Sequence, residues 1–114
     1  MIMLARDDAL KGLKRCMRLA KQDILLSGYT DDPRSWESQA IARQSIYQWL
    51  TKIIEEQGVD QAYLFARKRY DDLPHFLSDE MIGQREALEV FFVLVGRNNQ
   101  RREGDLPRRA QINA

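Results

Sequence analysis

Cysteine and histidine are almost absent from this chain: its 114 residues include one of each, Cys16 and His75. A lone cysteine excludes an internal disulfide and any zinc site built on several thiolates, and a lone histidine excludes the two-histidine metal motifs. The glycines are scattered at 12, 28, 58, 83, 96 and 104, so none of them builds a glycine-rich phosphate loop. The longest purely apolar run, Val90 to Val95, is far short of the ~20 residues a membrane helix needs. The first residues lack the apolar stretch and small-residue cleavage site of a signal peptide. These absences point to a cytoplasmic protein with no metal, no cofactor and no membrane partner.

What remains is ample for a core. The chain is 44% hydrophobic and 31% charged, a mix that supports one folded domain rather than disorder. Residues 3–26 show helical periodicity, with Ala9, Leu10, Leu13, Cys16, Met17, Ala20 and Ile24 on one stripe. Gly28 is the expected stop, since glycine accepts the left-handed conformation that ends helices. A second helix is predicted over 33–57, capped by Asp32, opened by Pro33 and ended by Gly58. A third starts at about 59 with Asp60 as its cap and ends before Pro74. A fourth spans about 79–96, entered through Ser78, with Asp79 and Glu80 complementing the helix dipole. Val90 to Val95 could be read as a buried strand, but no second strand is available to pair with it, and Gln84 to Glu89 leads in with helical spacing. Beyond Arg97 the periodicity is gone. The reading is therefore an all-α, four-helix bundle-like domain over 1–96, followed by a basic, polar and mobile tail over 97–114.

Charge is balanced in total, at +1, but not locally. Residues 1–26 carry six basic and three acidic groups, residues 78–96 carry one and four, and residues 97–114 carry five and two. Lys11, Lys14, Arg15, Arg18 and Lys21 form a stripe roughly 15 Å long on the polar face of the first helix. A solvated outer face explains such a stripe. So does a phosphate backbone or an acidic protein surface. The tail adds Arg97, Arg101, Arg102, Arg108 and Arg109, a composition that suits either a solubilising end or an arm for phosphates. The Arg67-Lys68-Arg69 triplet is weaker than it looks, because consecutive helical residues fan out by about 100° each. A helix-turn-helix around Gly58 is disfavoured: Asp60 would open the recognition helix and face the phosphates.

Catalytic chemistry is hard to assemble. Five acidic dyads occur, but neighbours on a helix point apart, and two of the dyads sit at helix starts where capping explains them. For Asp71-Asp72, near a helix C-terminus, Arg67 or Lys68 one turn back is the expected counter-charge. His75 has no nucleophile or metal beside it, and Cys16 reads as a small buried hydrophobe. Arg43 is the most unusual residue. It falls inside the apolar stripe of the second helix, where a charge must be paired, stacked on a ring, or exposed at an interface. Snorkelling along Trp36 and Tyr47 is one outcome, and a pair with Glu86 or Glu89 is another. Trp36, Tyr47, Trp49, Phe91 and Phe92 are the large anchors.

The functional expectation is a non-enzymatic helical protein acting by protein–protein contact or self-association, with a homodimer or another protein as partner. Trp36, Arg43, Tyr47, Trp49, Phe91 and Phe92 are its candidate contact residues. The alternative is nucleic-acid binding through Lys11, Lys14, Arg15, Arg18 and Lys21 together with Arg101, Arg102, Arg108 and Arg109 of the tail.

Overall fold

A computed structural model describes residues 3–96, and those residues form four α-helices, α1 (Arg6–Leu25), α2 (Pro33–Gln57), α3 (Val59–Asp71) and α4 (Asp79–Val95), with a single 3-10 turn at Ser27–Tyr29. The all-α expectation is met, and Val90 to Val95 are helical. The tail over 97–114 lies outside the described residues.

Local chemistry sets most of the boundaries. Asp32 caps α2 by accepting from the Ser35 backbone N–H at 3.2 Å, with Pro33 in the first turn. Ser78 caps α4 through the Met81 N–H at 3.3 Å. Gly58 sits at φ +97°, a conformation that side chains disfavour, and joins α2 to α3 with no other linking residue. Two expectations are corrected. Asp60 is not the cap of α3: the helix begins at Val59 because Gly58 itself is the cap position, which leaves Asp60 in the first turn. Gly28 is not a left-handed stop either. α1 ends at Leu25, and the chain turns through the 3-10 segment, where Thr30 Oγ1 donates to the Ser27 carbonyl at 2.8 Å.

Side-chain contacts give the topology. Asp23 meets Trp36 and Arg43, and Tyr47 lies beside Cys16, so α1 and α2 are antiparallel. Asp79 meets Ser35, and Glu86 meets Arg43, so α4 runs parallel to α2. α3 is the return leg. Its Tyr63 and Tyr70 pack edge-on against Phe92 of α4, at 5.7 and 5.5 Å between centroids. The result is an up-down-up-down bundle with one departure from the square arrangement. The diagonal pair α2 and α4 is in extensive contact, as extensive as α1 and α2, while α1 and α3 lie apart. Gly83 makes this possible: a Cβ there would collide with the Gln39 carbonyl oxygen and press on Ala42 at 2.9 Å.

The core runs along that diagonal. Phe91, Leu13, Leu50, Ile54, Leu88 and Val95 are the largest fully buried side chains. Each contributes roughly 1.5–3 kcal/mol by leaving water, so these six outweigh the surface ion pairs, which contribute about 0–1 kcal/mol apiece.

Candidate functional site

α3 is about half the length of α2, 13 residues against 25. It therefore covers only the half of the α2–α4 valley nearest Gly58. The uncovered half is an open cleft of ≈ 660 Å³. One wall is a continuous stripe of α2 running from Arg34 through Ile41 and Ser45 to Trp49, roughly 22 Å long. The opposite wall is Glu80 and Gln84 of α4. Arg69, at the end of α3, closes the lower end: its guanidinium lies 5.3 Å from the centroid of the Trp49 ring, and its Nε donates to Gln84 Oε1 at 3.3 Å. At the open end, Arg34 and Glu37 of α2 face the Glu80 side, so the rims carry both signs of charge. Ile41 lies between them, 46% exposed, on the face of α2 that points away from the core.

Of the six expected contact residues, only Trp49 lines this cleft. Trp36 is 43% exposed, but its indole N–H is engaged, donating to the Asp23 carbonyl at 3.0 Å. That carbonyl belongs to the last turn of α1, where backbone acceptors lack helical partners. Tyr47 and Phe91 are buried in the core, which removes them from any contact surface of this conformation. Phe92 belongs to the α3–α4 aromatic cluster, with Arg67 stacked 5.2 Å from its centroid.

Arg43 does not snorkel out to solvent but is paired inside the bundle. Its side chain is 16% exposed and forks between Asp23 of α1 at 2.9 Å and Glu86 of α4 at 2.8 Å. The Glu86 pair matches one expectation, while Asp23 was not foreseen. Burial raises the Tyr47 pKa well above the ordinary tyrosine value, and neighbouring Cys16 pushes it the same way. Burial likewise pushes the Cys16 thiol up, against the pull of Arg15. The basic triplet fans out as expected. Arg67 bridges Asp71 at 3.6 Å, Lys68 bridges Asp72 at 3.5 Å, and Arg69 turns to Trp49.

Lys11, Lys14, Arg15, Arg18 and Lys21 are all exposed, and none takes part in an ion pair among the described residues. His75 is exposed in the α3–α4 loop. Among the described residues no cluster of three or more His, Cys, Asp or Glu is placed to hold a metal, and no helix is long and apolar enough to cross a membrane.

Sequence reasoning missed Ile41, Glu80, Gln84 and the role of Arg69. Ile41 did carry a signal: it is an apolar residue on the polar side of α2, off the stripe that Ala40, Tyr47 and Ile54 define. The other three come from separate helices, and only the tertiary fold unites them. Comparison with protein-family models, with curated proteins and with solved structures gives no match.

Proposed function

We propose that the protein is a non-enzymatic interaction module whose α2–α4 cleft receives an amphipathic helical segment of a partner protein. The observation that carries this reading is the shortness of α3. A helix laid in the cleft would continue along the valley where α3 stops, completing the fourth side of the bundle. Such a segment, of about 15 residues for the roughly 22 Å of wall, would set apolar side chains on Ile41 and against Trp49. Its charges would meet Arg34 and Glu37 on the α2 rim, Glu80 on the α4 rim and Arg69 at the lower end.

The test is selection of helical peptides from a display library, followed by titration into the protein with Trp fluorescence as the readout. Peptides bound in the cleft perturb the emission and lose at least about tenfold in affinity on Ile41→Glu, which adds a charge to the centre of an apolar contact. Ile41 is exposed, so the thermal melt of that variant stays close to wild type. Selected peptides that bind Ile41→Glu as tightly as wild type would overturn the reading.

Nucleic-acid binding is the second reading, favoured by five exposed cations on α1 that have no counter-charge among the described residues. The arginines beyond residue 96 add further cations to the sequence.

A further inference from the structure

A second groove lies on the other side of α4, between α4 and α1, with a volume of ≈ 510 Å³. Its floor is Leu94 seated on Gly12, where an added Cβ would come within 2.7 Å of the leucine, together with the half-buried Cys16. Val90 and Val93 stand along its α4 edge, 42% and 56% exposed. Leu19, one turn beyond Arg15 on α1, is 54% exposed. The two walls differ in charge. The α1 wall carries Arg15, with Lys11 and Arg18 on the same exposed side, and the α4 wall carries Glu86 and Glu89. Exposed aliphatic residues between a basic wall and an acidic wall form a surface that can complement itself under two-fold rotation.

We propose that this groove docks a second copy of the chain, α4 against α4 in antiparallel fashion about an axis near Val90, with Arg15 of each copy meeting Glu89 of the other. The register follows from the chain. α1 and α4 are antiparallel, with Gly12 opposite Leu94, so Arg15 lies at about the level of α4 residues 91–92. Rotation about Val90 carries that level onto Glu89 of the second copy and sets Leu19 against its Val93. The unlike charges of the two walls, Arg15 on α1 and Glu89 on α4, then neutralise each other across the interface. Glu89 already accepts the Tyr70 hydroxyl at 2.9 Å, which holds its carboxylate in place on α4. This inference does not depend on what occupies the α2–α4 cleft.

Sedimentation over a concentration series tests it. The wild type is expected to shift from 13.4 kDa to twice that mass as concentration rises. Arg15→Glu alone and Glu89→Arg alone should each weaken association by about tenfold or more, since each places like charges opposite one another. An equimolar mixture of the two variants should associate again, because in the mixed dimer both cross-copy pairs are of opposite charge. Cys16 supplies an independent readout: its alkylation should slow with concentration in the wild type and not in either variant alone. A chain that stays at 13.4 kDa at the highest concentration reached overturns the proposal. So does a dimer indifferent to both reversals, or a mixture that fails to associate.

Discussion

Arg43 shows how one residue can link three helices. It sits at the centre of the buried face of α2, between Ala40 and Tyr47, where an apolar residue would be the default. Its guanidinium reaches both ways, to the carboxylates of Asp23 and Glu86. Asp23 lies near the C-terminus of α1, the end at which a helix dipole disfavours an anion, so Arg43 answers a charge that α1 itself cannot. α2 holds the same residue a second time through the Trp36 bond to its carbonyl. Truncation to Arg43→Ala leaves two carboxylates facing each other across the vacated space. Breaking a fully buried pair costs about 3–5 kcal/mol, and here Asp23 and Glu86 keep side-chain exposures of 37% and 43%, so water offsets part of the loss. The expected cost is about 2–3 kcal/mol in urea unfolding. Adding Asp23→Asn and Glu86→Gln to Arg43→Ala should recover part of it, because the repulsion is gone. A midpoint for Arg43→Ala within error of wild type would mean that the two ion pairs contribute nothing net.

At the scale of the elements, α4 comes close to α2 where a side chain is missing. Gly83 lets the first turns of α4 approach α2 at Gln39 and Ala42. Glycine in a helix interior costs about 1 kcal/mol relative to alanine, so in isolation Gly83→Ala would stabilise α4. In the folded protein the new methyl meets a backbone carbonyl that cannot rotate away, and overpacking of this kind costs about 1–3 kcal/mol. The steric effect wins: Gly83→Ala is expected to lower the thermal midpoint. At Gly12 the obstacle is the flexible end of Leu94, so Gly12→Ala should change it little. A Gly83→Ala variant more stable than wild type would show that α2 and α4 can separate at little cost. The contrast also marks the limit of what the sequence discloses. Helix existence, the Asp32 and Ser78 caps and the Gly58 break were legible because each depends on residues within a turn of one another. The end of α1 was misjudged at Gly28 because a 3-10 turn competes with the left-handed stop using the same residues. The parallel diagonal contact and the uncovered cleft were not legible, since they depend on how far α3 reaches along α2 and on what Gly83 meets. For the same reason side-chain size alone does not separate Trp49, which lines the cleft, from Tyr47 and Phe91, which are core.

Over the whole molecule the charges are segregated by helix. α1 presents its cations to solvent on one side and α4 gathers acids, so the two cancel, and the net value of +1 is what the basic residues beyond 96 leave over the acidic excess of 27–58. A polyanion responds to the local field within about 8–10 Å at ordinary ionic strength, not to the total, so the exposed face of α1 should attract one in spite of the near-neutral sum. The protein is therefore expected to be retained weakly on heparin or DNA, with an affinity that falls steeply as salt rises. Lys14 and Lys21 are the cations to reverse. Both are exposed, and both lie on the side of α1 away from the α1–α4 groove, so self-association through Arg15 is left alone. If the α1 stripe makes the contact, replacing both lysines by glutamate should reduce the slope of log affinity against log salt by roughly two, one for each cation lost. An unchanged slope would exclude Lys14 and Lys21 from the contact and direct the search to the tail arginines, which truncation at residue 96 then tests directly. Discrimination between single- and double-stranded nucleic acid, or between sequences, separates the two functional readings. Counterion release alone is indifferent to base identity, so retention without discrimination is ordinary electrostatics and leaves the cleft as the candidate for specific binding.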